Sequence, residues 1–399
     1  MKLLMVSPTL PCPTWGFSAR SYYLLKALAR QHTVSLLALA DKTELEAYNS
    51  IPLLEKLAHR VQVILRPGAH GKRGQQLLSA IQGQSYILNQ RKQLVIQDAL
   101  DVMLVNDRYD AVLFESVLTA GYRLPTGIRV IIDQHNIEYE LLQRTYKHER
   151  ALLRKWYNWQ EYRLIKRVEI ERCRRADLVV VTSMRERGIL KDLLPENSVE
   201  LVPNGVDIET FDLNGNEKDV LPGRIIFTGT MDYYPNADAV LFFARQCWPI
   251  IKAQVPGATW EIVGRNPSPE VRRLAELPSV TVSGTVPDVR PYLARSAVAI
   301  APLQIASGTR LKILEALAMK KAVVSTSVGF EGLSTVPGKH LLAADEPGAF
   351  AHAVVTFLKN PDMRTAFGTA GRALVETEYS WDSCGERLLH ILEEEVRTC

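Results

Sequence analysis

Short apolar runs alternate with helix-length amphipathic segments along almost the whole chain. In the first half the runs are Leu3–Val6, Thr33–Leu37, Val61–Leu65, Ala111–Phe114, Arg129–Ile132, Leu178–Val181 and Val199–Val202. Several are continuously apolar, as strands buried on both faces must be. Between them lie segments such as Ser18–Arg30, with Tyr22, Leu25, Leu28 and Ala29 at helical spacing. That rhythm predicts strand–helix–strand units and a parallel sheet covered on both sides. It pauses at the polar, turn-prone run Asn214–Asp219, which reads as a linker. It restarts with Arg224–Phe227, Trp260–Val263, Val280–Val282, Val298–Ala301, Ala322–Ser325 and Leu341–Ala343. The strand, small-residue turn and helix of Leu3–Arg30 are repeated at Ile225–Ala253. Two Rossmann-like, doubly wound α/β domains are therefore expected, 1–205 and 206–379, facing across a cleft. A last amphipathic helix, 380–399, is expected to pack back on the first domain. Its stripe is Cys384, Leu388, Ile391, Leu392 and Val396, with Glu393 and Glu394 turned away.

Composition narrows the class. The chain has 399 residues, 47% hydrophobic and 23% charged, which is enough apolar material for more than one core. Low hydrophobicity with high net charge is absent, so a disordered chain is excluded. No run approaches the roughly 18 apolar residues of a membrane-spanning helix. Met1–Pro8 reads as a buried first strand rather than a signal peptide. Cys12, Cys173, Cys247, Cys384 and Cys399 are scattered, with no Cys-x-x-Cys. A disulfide framework or zinc site does not fit that pattern, and a reducing cytoplasm does. A net charge of +4 suits an anionic ligand or an anionic membrane surface and does not argue for nucleic acid.

One segment concentrates the charge. Gln143–Arg175 reads as one or two long helices with eleven basic residues against four acidic ones, a larger surplus than the +4 of the whole chain. Trp156, Tyr157, Trp159 and Tyr162 are interleaved with them. Two readings stay open: a solvated helix face with aromatic core anchors, or a surface that meets anionic lipid or a lipid-linked acceptor.

The stretch Ala301–Met319 carries the most chemistry. A strand ends at Pro302, a Ser307-Gly308-Thr309 turn follows, and a helix begins near Thr309. Free N–H groups and a positive dipole at such a helix start attract phosphate. Gly308 removes the Cβ that would keep a phosphate away. Lys312 lies in the first turn and adds a full charge, and Glu315 shares its face three residues on. A carboxylate there can accept two hydrogen bonds from a ribose diol. The plainer reading of Lys312 and Glu315 is a surface salt bridge. Elsewhere, Asp133-Gln134-His135-Asn136 follows an apolar strand, and ligands of doubly wound sheets bind at such strand ends. No Asp-x-Asp, a common way of holding a diphosphate-bound metal, occurs in the chain.

The segment Gly308–Ala318, followed by Lys321–Thr326 and Ser327–Leu333, resembles the donor-site signature of retaining glycosyltransferases of family 4 with the GT-B fold. Val202–Asp207, Phe227–Met231 with Pro235-Asn236, and Asp133–Asn136 extend the resemblance over nearly the whole chain in the expected order. The pattern is that of a subgroup with Gly-Thr-Arg-Leu-Lys-x-Leu-Glu.

The resemblance implies a nucleotide-sugar donor on the second domain and a glycan or lipid-linked acceptor on the first. It makes Glu315 the second Glu of a Glu-x7-Glu motif, holding the ribose, with Ser307 where the first Glu belongs. Lys312, with Arg310, must neutralise the diphosphate, because Gly229-Thr230-Met231 lacks the usual Arg and Lys after its strand. Gly229, Thr230, Gly264, Ser307, Gly308 and Thr309 line the donor, Val286 meets the base through backbone, and His135 lies near the transferred sugar. Gly16 and Arg20, in the first loop and helix, are expected on the acceptor side, and Ser18 reads as that helix's N-cap. The implied enzyme is a retaining, metal-independent hexosyltransferase of polysaccharide biosynthesis with no cofactor, UDP-sugar slightly preferred. It would work in the cytoplasm, with peripheral attachment through 143–175 to the inner face of the plasma membrane as the alternative site. The competing readings are another GT-B enzyme, an epimerase or phosphorylase, and a non-catalytic sugar-nucleotide-binding scaffold.

Overall fold

The computed structural model describes residues 1–13, 16–42, 44–45, 50–66, 72–91, 94–149, 151–213, 220–305 and 310–397. Two compact units emerge: Met1–Pro203 with Cys384–Cys399, and Asn204–Ser383. The chain passes from one to the other at Pro203–Asn204, upstream of the polar 214–219 run, which lies outside the described residues.

The first unit holds β1 (Lys2–Ser7), β2 (Thr33–Ala40), β3 (Arg60–Leu65), β4 (Ala111–Phe114), β5 (Arg129–Gln134), β6 (Leu178–Val181) and β7 (Ser198–Leu201). They form one sheet in the order β3-β2-β1-β4-β5-β6-β7, every pair parallel. The continuous apolar runs are explained: β4 and β6 are buried at every position. Leu4, Val6, Val112 and Phe114 face a cluster with Leu100 and Met103. Ile132, Val179, Val181 and Val199 pack in a second cluster with Ile165 and Leu190. Truncating one such buried leucine to alanine costs roughly 2–5 kcal/mol.

The second unit repeats the plan with β8 (Leu221–Thr228), β9 (Thr259–Val263), β10 (Val280–Gly284), β11 (Ser296–Ala301), β12 (Ala322–Ser325) and β13 (Leu342–Ala343). Its order is β10-β9-β8-β11-β12-β13, again all parallel. Both sheets reverse strand order beside their first strand, at β1/β4 and at β8/β11. Within each sheet that reversal is a switch point, and doubly wound sheets bind ligands at the carboxyl ends of the strands there.

The structure bears on three helical expectations. The basic segment is two helices, Glu138–His148 and Leu152–Arg175. The longer one buries Glu161, Ile165, Glu169 and Cys173, one row at four-residue spacing. Trp156 and Trp159 are exposed, so they are not core anchors. The first helix starts at Gly16, which puts Ser18 inside its first turn rather than at the N-cap; its hydroxyl donates to Thr9 Oγ1 instead. The last helix runs Trp381–Arg397 with Cys384, Leu388, Ile391 and Leu392 buried. Among the described residues no helix is long and apolar enough to cross a membrane.

Candidate active site

In the second unit the ends of β8, β9 and β11 gather the predicted donor residues. The Gly229 N–H donates to Val263 O at 3.0 Å. A Cβ on Gly264 would fall 1.6 Å from Gly229 O, so these two strand ends approach only because position 264 is glycine. A Cβ on Gly229 would meet Asn236 Nδ2 at 2.8 Å and Lys312 Nζ at 3.0 Å. Lys312 lies at the start of the helix Leu311–Ala318. Its ammonium donates to Asn236 Oδ1 at 2.6 Å and sits 4.1 Å from the Phe227 ring centroid. Asn236 in turn donates through Nδ2 to Thr230 O at 2.9 Å. One amide therefore ties the lysine to the loop after β8.

The electrostatics of this cluster are unbalanced. Burial pushes the Lys312 ammonium down to about 7, more than Glu315 restores. Burial likewise pushes the Glu315 carboxyl up to about 7, against the pull of Lys312. Among the described residues Lys312 has no ion-pair partner and Glu315 no hydrogen bond. Such groups are costly unless a ligand completes them. Arg310 is buried, and its guanidinium donates to Val328 O at 3.2 Å, with Glu331 at 3.8 Å. Val286 is half-buried against the cluster around Ile226 and Val263. Ser307, Gly308 and Thr309 lie outside the described residues.

In the first unit β5 alternates its side chains, so Asp133 and His135 share a face and Gln134 takes the other. Arg20 forks onto Asp133, with Nε to Oδ2 at 2.7 Å and Nη2 to Oδ1 at 2.6 Å, and gives Nη1 to Pro203 O at 3.0 Å. His135 Nε2 lies 3.1 Å from both Asp133 Oδ2 and Glu115 Oε2. Glu115 follows β4 and also accepts the Ser21 hydroxyl at 2.7 Å. Every member is buried. Burial alone would lower the pKa values of Arg20 and His135; the carboxylates around them win, and both are raised. Burial alone would raise Asp133; Arg20 and His135 hold it well below the usual carboxylate range. On the opposite face Gln134 bonds Glu169, which also accepts the N–H groups of Glu138 and Tyr139 and so caps the Glu138–His148 helix.

Arg20, expected beside the acceptor, is thus enclosed and committed to Asp133, because the β1/β4 switch point brings its helix over the end of β5. Gly16 opens that helix. Glu115, Asp133 and His135 bring ligand-type atoms within 4.8 Å of one another. Arg20 and Ser21 already occupy much of that donor set, while Glu115 Oε1 has no partner among the described residues. Glu115, Asp133, Ser21 and Asn236 join these clusters without having been expected as site residues. Glu115 had the same signal as His135, a polar residue directly after a buried strand.

Residues 16–210 match the family described as Glycosyltransferase Family 4 and residues 222–360 match Glycosyl transferases group 1. Over 91 residues the chain is 34% identical to a GDP-mannose-dependent monoacylated alpha-(1-6)-phosphatidylinositol monomannoside mannosyltransferase of Corynebacterium glutamicum, covering 23% of this chain and 24% of that one. An uncharacterized 44.6 kDa protein in the cps region of Klebsiella pneumoniae is 22% identical over 272 residues, 64% of this chain and 67% of that one. Among solved structures, sucrose-phosphate synthase of Thermosynechococcus elongatus superposes with a TM-score of 0.74 at 16% identity, covering 100% of both chains. Anabaena HepE in complex with UDP superposes with a TM-score of 0.67 at 14% identity, covering 99% of this chain and 100% of that one. The chain is built as a GT-B glycosyltransferase, with a Glycosyltransferase Family 4 domain ahead of a Glycosyl transferases group 1 domain.

Proposed function

We propose that the protein is a retaining hexosyltransferase of polysaccharide biosynthesis. It moves a sugar from a UDP-sugar to a hydroxyl of a glycan or lipid-linked acceptor, without a divalent metal. The observation that carries this reading is Lys312: a cation clamped by Asn236 and Phe227 at a sheet switch point, with no ion-pair partner among the described residues. A diphosphate supplies the missing anion. Charge builds on the leaving oxygen, so Lys312 stabilises the transition state more than the bound donor. Glu315, with no hydrogen bond to another described residue, accepts the ribose hydroxyls. His135, its pKa raised by Asp133 and Glu115, serves as a donor toward the transferred sugar. No protein nucleophile is assigned, and the acceptor hydroxyl attacks the face from which the diphosphate leaves.

The UDP preference draws support from HepE, whose structures include complexes with UDP and UDP-glucose. The Corynebacterium relative makes GDP-mannose the competing donor. We place the protein in the cytoplasm at the inner face of the plasma membrane, where a lipid-linked acceptor is presented. The test is donor hydrolysis and thermal shift with UDP- and GDP-sugars, with and without EDTA. UDP-sugar turnover that survives EDTA, with the product anomer retained, is the expected result. Binding without turnover would make the chain a scaffold. A strict metal requirement would direct attention to Glu115, Asp133 and His135.

A further inference from the structure

The helix Leu152–Arg175 buries two glutamates and displays large apolar side chains. The buried row is Glu161, Ile165, Glu169 and Cys173. Glu161 is held there by the Ser85 hydroxyl at 2.6 Å and the Tyr86 N–H at 2.7 Å, and Glu169 by the cap described above. Away from that row run Leu152, Trp156, Trp159 and Arg163, spaced four, three and four residues apart and therefore one stripe. Leu152 is 82% exposed, its neighbour Leu153 86% and Trp156 52%. The stripe continues onto a second helix. Gln160 donates to Ala80 O at 3.0 Å, which brings the end of the helix Lys72–Ile81 alongside, and there Ile81 and Leu78 are exposed too.

Cations frame this patch. Lys147, Arg154, Arg163 and Arg167 are exposed. The Arg163 guanidinium stacks 4.9 Å from the Trp159 ring centroid, and Lys155 lies 5.7 Å from that of Tyr146. The acidic residues nearby are engaged locally: Glu161 is buried, and Glu149 accepts the Ala151 N–H at 2.9 Å.

We propose that this face, Leu152, Leu153, Trp156 and Trp159 with Arg163 and Arg167, docks onto a bilayer surface rich in anionic headgroups. Leucines at a helix start enter the acyl boundary, indoles favour the headgroup level, and the arginines reach phosphates. A second copy of the chain fits less well, because a self-complementary contact sets these cations against their own copies. The docking sharpens the membrane placement proposed above and rests on it for its purpose, though its test needs no turnover.

The test is co-sedimentation of the full chain with phosphatidylcholine vesicles, with and without phosphatidylglycerol, at low and high salt. Binding to the anionic vesicles should exceed binding to neutral ones at least tenfold and weaken in high salt. Leu152→Ser with Leu153→Ser, and separately Arg163→Ser with Arg167→Ser, should each lower it at least tenfold. All four side chains are exposed, so thermal stability and donor hydrolysis without vesicles should stay unchanged. Indole emission should shift to the blue on binding in the parent chain and not in the leucine variant. Equal binding to neutral vesicles, or indifference to both variants, overturns the proposal. So does a dimer that the leucine change dissociates, which would make the face a self-interface. Loss of donor hydrolysis in the parent chain would count against the transferase reading and leave the vesicle result standing.

Discussion

The two units each bury a cation beside carboxylates, and they treat the charge in opposite ways. In the first, Arg20, Asp133, His135, Glu115 and Ser21 bind one another, with Glu115 Oε1 left over among the described residues, and the field they make raises both cations and lowers Asp133. In the second, Lys312 and Glu315 share a helix face without a salt bridge among the described residues, and burial brings both to about 7. A densely bonded network rigidifies the end of a strand. An unsaturated pair stores a desolvation cost that an anionic, hydroxyl-rich ligand relieves. Similar residue types thus build a framework in one place and a vacancy for substrate charge in the other.

The strongest way to break that contrast is Arg20→Met. It should cost about 3–5 kcal/mol, because buried Asp133 loses its bidentate partner and keeps only His135 against its charge. Urea unfolding measures it. A loss below about 1 kcal/mol would mean that the network is not what holds the strand end. Nucleoside diphosphate binding by the second unit should survive wherever the variant stays folded. His135 adds a pH signature. Its folded pKa is raised, so its contribution is full below about 6.5 and fades as pH climbs through the raised value.

Lys312→Ala is the counterpart. Turnover should fall roughly 10²–10³-fold, as on loss of one oxyanion donor, while stability stays level or rises, since a costly half-buried ammonium is gone. Near-normal turnover would place the diphosphate elsewhere, with Arg310 or Arg265 next in line.

Asn236→Ala sharpens the comparison by loosening the lysine without removing it. Losing a hydrogen bond to a charged group is worth about 1.5–3 kcal/mol, so turnover should drop about tenfold or somewhat more. The ammonium also loses its acceptor, so the alkaline limb of the pH–rate profile should move to lower pH. A profile that does not move would make Asn236 a packing residue only.

The pair's own signature is a dip in unliganded stability near pH 7. Glu315 binds its proton more tightly in the folded state, at about 7 against an ordinary 4.5, so its contribution falls as pH rises between those values. Lys312 releases its proton earlier, at about 7 against 10.5, so its contribution grows from 7 upward. The difference in unfolding free energy between the parent chain and Lys312→Met with Glu315→Gln, followed from pH 4 to pH 10, isolates the pair. A flat difference would show that the two groups titrate normally.

Helical and strand periodicity are local properties, so the sequence alone marked every strand, from Leu3–Val6 to Leu341–Ala343, within a few residues. The same is true of the last helix's stripe and of the Lys312–Glu315 face, where spacing along one helix decides who neighbours whom. Contacts set by the sheet order were beyond that reach. Arg20 finds Asp133 across 113 residues, and Lys312 finds Asn236 across 76, because parallel crossovers bring distant strand ends to one switch point. The row of Glu161 and Glu169 shows why the basic helix was ambiguous. Those side chains look solvent-bound in composition, yet Ser85, Tyr86, Gln134 and the end of another helix supply the hydrogen bonds that permit their burial. With the polar row turned inward, Trp156 and the two leucines are left facing out, and only the packed structure could decide which side of that helix the solvent sees.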